Sequence, residues 1–241
     1  MLSYMRFEAR RLVREPRLIV LTLVLPLIVF MIASNNVGKL GGVDVATYIM
    51  VSMAAYGVLV GVLSIGISVS QERASGWLRQ LRITPLAPGK VVVAKALLGS
   101  LLAIPTVAVV GIAAATSHGV SLPAVQWLAL LGALWVGSLP FAALGLALGF
   151  WLSPQLTQPA MMLATFGLAF LGGLFWPVET MPRVMAQIAT WLPSNRYAEL
   201  GWSIVADHAP PARSVAILAA WTIVLAALAA LSYRTSAAKR R

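Results

Sequence analysis

Six apolar runs, none containing an Asp, Glu or Arg, limit what this 241-residue chain can become. They occupy residues 18–34, 45–69, 91–116, 125–151, 158–176 and 214–231. A helix needs about 20 apolar residues to cross the hydrocarbon core of a bilayer. Lys95 is the one basic residue inside a run, a turn from its end, where its stem reaches back to the headgroups. A charge at mid-span would cost about 2.5–3.5 kcal/mol, and the sequence avoids it throughout. The expected architecture is all-α: a polytopic membrane protein of six transmembrane helices, with 1–241 forming a single domain from which no soluble part can be cut.

The charge pattern orients these helices. Fourteen of the eighteen lysines and arginines fall in 1–17, 71–95 and 233–241. Those patches carry the whole net charge of +11, and the remaining connections are neutral. Basic residues accumulate on the cytoplasmic side of membrane proteins. Six crossings put both termini on one side, and both are basic, so both termini are expected in the cytoplasm. Residues 71–95 are then the one substantial internal cytoplasmic loop.

Composition excludes other classes. Only 10% of residues are charged, against roughly a quarter in a soluble domain. No basic face is interleaved with stacking aromatics, so nucleic acid is not an expected partner. There are no cysteines, and His118 and His208 stand alone in predicted loops without a second ligand at metal spacing. The first apolar run follows a long flank containing two acids and lacks a small-x-small site, which favours an uncleaved span over a signal peptide.

Residues 1–17 read as a helix in the membrane interface. Leu2, Met5, Ala9 and Leu12 form one stripe and Arg6, Arg10, Arg14 and Arg17 another, suited to acyl chains and lipid phosphates respectively. Pro26, Pro105 and Pro140 lie inside spans, where each removes a backbone donor and permits a kink. Gly57 and Gly61, with Ser64 and Ser68, share a face of span 2, and Gly145 and Gly149 form a small-xxx-small pair in span 4. Such faces are candidates for close helix packing.

The loop after span 2 carries the most specific pattern. It is expected to continue helically from the span, with Trp77, Leu78 and Leu81 among Arg73, Arg79 and Arg82, until Thr84-Pro85 stops it. A short amphipathic helix tied to two spans suits a partner's groove or the lipid surface. Glu72-Arg73, Gly76, Leu78, Leu81 and Thr84-Pro85 resemble the Glu-Arg-x-x-Gly-x-Leu-x-x-Leu-x-x-Thr-Pro motif of type-2 ABC export permeases, the membrane subunits of bacterial drug, antibiotic, lipid and polysaccharide exporters. Trp77 stands where a smaller residue is usual in that family. A second segment is similar to the family's outer element: Phe175-Trp176-Pro177 with Glu179 and Pro182, then Pro193 and Tyr197, with Asn195 and Pro193 in changed order.

The resemblance implies several things. Residues 71–88 would be a cytoplasmic coupling loop, in which Glu72, Arg73, Gly76, Trp77, Leu78, Leu81, Thr84 and Pro85 receive energy from a separate ABC ATPase subunit. Residues 177–212 would hold short re-entrant helices capping the export path. The chain would bind no cofactor itself, ATP and Mg residing on the partner, and would pair with itself or a second permease in the bacterial inner membrane. Its cargo would be lipophilic or amphipathic, as in multidrug efflux and antibiotic resistance. No Walker motif is present: Gly89-Lys90 is followed by Val91, and Thr84 stands where the first glycine belongs.

Two other classes are weighed from the residues. An ion-coupled secondary transporter usually carries an ionisable group in the membrane, and none of the seven acids lies within a run. An intramembrane serine protease would need a base beside its serine, but Ser138 is followed by Leu139-Pro140 and neither histidine lies in a span. The chain is read as a transport subunit and not an enzyme.

Overall fold

The structure is a computed structural model that describes residues 23–35, 38–40, 42–76, 96–97, 99–101 and 103–238, the side chains of the last two excepted. The interfacial helix expected at 1–17 and most of the coupling loop lie outside the described residues. Those described form nine α-helices: α1 (Leu25–Ala33), α2 (Val45–Ala74), α3 (Ala103–His118), α4 (Ala124–Gly137), α5 (Leu139–Trp151), α6 (Pro154–Leu171), α7 (Arg183–Ala189), α8 (Pro193–Val205) and α9 (Ala212–Ala238). A two-stranded antiparallel hairpin, β1 (Lys39–Leu40) with β2 (Val43–Asp44), joins α1 to α2.

Among the described residues, three helical stretches are long and apolar enough to cross a membrane: Val45–Ala74, Ala124–Trp151 and Ala212–Ser236. The fold is therefore all-α and membrane-spanning, as the apolar runs require. At 1.5 Å per residue, the 30 residues of α2 extend about 45 Å. The second stretch is α4 and α5 with a break at Ser138. Pro140 in the first turn of α5 has no N–H to give, and Ser138 O accepts from Phe141 N and Ala142 N instead (both 3.1 Å).

Two expectations are corrected. The fifth apolar run was expected to stay helical to Trp176, but α6 ends at Leu171, because Gly173 turns the chain through φ +86°. Helix α2 carries on past Gln71 to Ala74, and Gly76 adopts φ +77°; residues 77–84 lie outside the described residues. His118 closes the last turn of α3 and is no loop residue, its ring 5.5 Å from that of Phe30.

Helix α2 occupies the middle of the bundle. It packs against α5, α3, α6, α1 and α8, and 89% of its most apolar window is buried. For α9 the share is only 22%, its main neighbour being α5. Both helices are apolar on every side, the composition of a helix surrounded by protein or by lipid. Ile223, Val224, Leu228 and Leu231 of α9 and Met162, Leu163 and Phe166 of α6 belong to the exposed apolar surface.

The helices share two ends. At one, the end of α2 meets the end of α5 and Ser236 of α9. At the other, Tyr48 at the start of α2 stacks on Trp202 of α8 (centroids 4.5 Å apart), and Gln126 of α4 donates to Asp207 Oδ1 (3.3 Å).

Candidate functional site

The Glu-Arg pair sits in the last turn of α2, and sequence explains how that turn closes. Ser75 N and Gly76 N donate to Gln71 O (2.9 Å) and Arg73 O (3.4 Å), and Ser75 Oγ donates to Glu72 O (3.1 Å). Gly76 can take the left-handed conformation that ends a helix without Cβ strain. Glu72 is buried at 5% exposure. Arg73 is half-buried and turned into the protein, with Nη1 donating to Phe150 O and Nη2 to Leu152 O. Trp77, Leu78, Leu81, Thr84 and Pro85 lie outside the described residues.

Three hydroxyls that the sequence reading did not single out surround this point. Ser70 Oγ donates to Leu152 O (3.3 Å), and Thr157 Oγ1 of α6 lies 2.9 Å from Ser70 Oγ. Ser236 Oγ of α9 is 3.5 Å from Arg73 Nη1. Isolated Ser and Thr residues just beyond the ends of apolar runs carry no spacing signal that would have revealed them.

At the opposite end, the Phe175–Tyr197 segment folds over the helix ends. Phe175 packs on Tyr56 of α2 (4.6 Å) and beside Phe166 of α6 (6.4 Å), while Trp176 meets Phe170 edge-on at 5.8 Å. Pro177 leads into a 3₁₀ turn (Val178–Thr180) bearing the exposed Glu179, and Pro182 precedes α7. Pro193 opens α8, whose first turn is buried. There Ser194 Oγ donates to Leu168 O (2.6 Å), which also accepts from Gly172 N (2.9 Å), and Asn195 Nδ2 donates to the C-cap carbonyl Gly172 O (3.0 Å), so α8 is tied to the end of α6. Tyr197 is fully buried, its ring 5.3 Å from Phe141.

The same turn hides an ion pair. Arg196, at 6% exposure, bonds Glu199 Oε2 through Nη1, and donates to Thr190 O (2.5 Å) and Ser214 Oγ (3.1 Å). Ser214 Oγ in turn donates to Glu199 Oε2 at 2.6 Å. The cluster joins α7, α8 and α9. It was legible only as an i,i+3 pair of opposite charges, which the sequence reading counted as loop charges that cancel.

Beside this segment lies a cavity of about 380 Å³. Its walls come from α1 (Val29, Ala33), the hairpin (Lys39, Leu40), α2 (Tyr48, Ser52, Met53) and the turn after α6 (Leu174, Phe175, Pro177). The lining is mainly apolar, with two hydroxyl-bearing residues, Tyr48 and Ser52, and one charged residue, Lys39.

The helix-packing candidates divide. Gly145 and Gly149 of α5 press on α2, where a methyl at Gly149 would collide with the backbone of Gly66, and one at Gly145 would sit 3.0 Å from Leu63 O. Gly66, not named from the sequence, is thus the facing residue on α2. Gly57 and Gly61 are buried higher on the same helix.

Residues 39–231 match the family described as ABC-2 family transporter protein. The chain is also 28% identical over 225 residues to the Bacillus subtilis (strain 168) protein named "Putative transport permease YvfS", covering 90% of each chain.

Proposed function

Because this chain belongs to the ABC-2 transporter family, and is therefore a multipass membrane protein and a transport subunit, we propose that it is half of the export path of an ATP-driven transporter. An ABC ATPase subunit carries ATP and Mg and hydrolyses the nucleotide; this chain converts the resulting motion into passage of a lipophilic or amphipathic substrate. Two copies, or one copy and a sister permease, pair across the apolar surfaces left open on the bundle. Helix α6 and the runs at 18–34 and 91–116 join the three long apolar stretches to make six crossings, both termini lie in the cytoplasm, and α7 and α8 dip into the outer half of the bilayer.

One observation supports this reading above the others: the Glu72-Arg73 pair lies in the last turn of α2, the most enclosed of the three membrane-length stretches among the described residues. A push applied to the loop beginning at Trp77 enters α2 through Ser75 and Gly76, the two residues that follow the helix end, and so reaches the middle of the bundle. The far end of α2 borders the cavity beneath Phe175. Substrate leaves there, past Phe175, Trp176, Pro177, Glu179 and Pro182.

The test is purification of the tagged chain from native membranes, followed by transport of a fluorescent amphipathic dye into inverted vesicles. An ABC ATPase should co-purify, and uptake should need ATP and survive an ionophore. Glu72→Ala and Leu81→Ala should leave hydrolysis running while uptake falls. Absence of any ATPase, or uptake that collapses with the ionophore, would overturn the proposal in favour of ion-coupled transport.

A further inference from the structure

The motif residue Arg73 faces inward, and its bonds identify what the lever is tied to. Phe150 O belongs to the last turn of α5, where carbonyls have no helical donor. Leu152 follows in extended conformation (ψ 154°) and begins the turn into α6. The guanidinium of Arg73 spans both carbonyls with its two terminal nitrogens and reaches Ser236 of α9. A planar fork of donors can bridge two fixed acceptors in this way; an ammonium on a flexible stem cannot hold both in register. The positive charge also lies at the negative end of the α5 dipole.

A second contact acts on the same turn. Ser70, three residues earlier on α2, donates to Leu152 O, and Thr157 in the first turn of α6 touches Ser70. Tyr233 of α9 packs edge-on against Phe150 at 5.3 Å. One turn of α2 is thereby fastened to the end of α5, the start of α6 and the side of α9.

Resting on the transporter reading above, we infer that Arg73 is a positioning residue that makes the α5–α6 turn and α9 follow the end of α2, and is not a contact for the ATPase. Displacement of the coupling loop then moves α2, α5, α6 and α9 together. Without the fork, the end of α2 slides over the α5–α6 turn and its motion is lost before it reaches the far end.

The chain has no native cysteine, so the test can be built from introduced ones. A reporter Val184→Cys on α7, 67% exposed at the end opposite Arg73, is labelled with a membrane-impermeant maleimide in the complex with its ATPase. Trapping the ATPase with vanadate and ATP should change the labelling rate several-fold. Arg73→Lys should abolish that response; Arg73→Gln gives the same outcome should the lysine variant not reach the membrane. Adding Ser70→Cys and Thr157→Cys, whose γ-atoms replace a pair 2.9 Å apart, should restore the response when oxidised and not when reduced. A response that survives Arg73→Lys overturns the inference. A response lost and not restored by the disulfide also overturns it, assigning Arg73 to the ATPase surface. No nucleotide response with Arg73 intact removes the transporter reading itself, and this inference with it.

Discussion

Tyr197 fills the space between α4, α5 and α8 with no exposed surface, and its hydroxyl has no hydrogen-bond partner among the described residues. Leaving a buried hydroxyl unsatisfied costs about 1–3 kcal/mol. Tyr197→Phe keeps the ring against Phe141 and removes the orphan oxygen, so the variant should melt at or above the temperature of the parent in detergent. Arg196 is the opposite case, a buried cation whose partners are all present. Removing one member of a buried pair typically costs about 3–5 kcal/mol. Glu199→Ala should fall at the low end, since Glu199 is 30% exposed, and should appear as a clear drop in melting temperature. These neighbours show why side-chain burial was hard to read from sequence. Tyr197 follows Arg196 in a segment whose charges cancel, and nothing in the residue order shows that a three-helix junction closes over it.

Among the elements, the contact between α2 and α5 depends on missing side chains. Gly149→Ala places a methyl against the Gly66 backbone, and overpacking of this kind costs about 1–3 kcal/mol. Gly132→Ala on α4 meets nothing within 4 Å and should be neutral or stabilising, since glycine in a helix interior costs about 0.5–1 kcal/mol relative to alanine. Melting temperatures of the two variants should move apart. The existence of α2, the α4–α5 pair and α9 was legible in the apolar runs, because length and absence of charge decide what enters a bilayer. Which face of α2 meets α5 was not: a helix apolar all round carries no period that separates protein from lipid, and so Gly66 went unnoticed. The hairpin at Lys39–Asp44 was illegible for a related reason, since two-residue strands are too short to alternate. Of the candidate site, Glu72, Arg73 and Gly76 were named by resemblance, whereas the carbonyls of Phe150 and Leu152 that receive Arg73, and the hydroxyls beside them, carry no sequence signal.

On the scale of the whole molecule, the two ends of the bundle should face opposite sides of the membrane. Ser75→Cys lies at the Arg73 end and His208→Cys at the other, both exposed. An impermeant maleimide should label His208→Cys in intact cells and Ser75→Cys only after permeabilisation. The reverse pattern would invert the orientation given by the basic patches. Contact across Gly66 and Gly149 brings the main chains of α2 and α5 together without the soft padding that side chains normally provide. Padding absorbs small shifts by rotamer change; bare backbone does not. A stroke delivered at one face of this pair is therefore carried as by a rigid rod, and filling the groove should turn that rod into a spring.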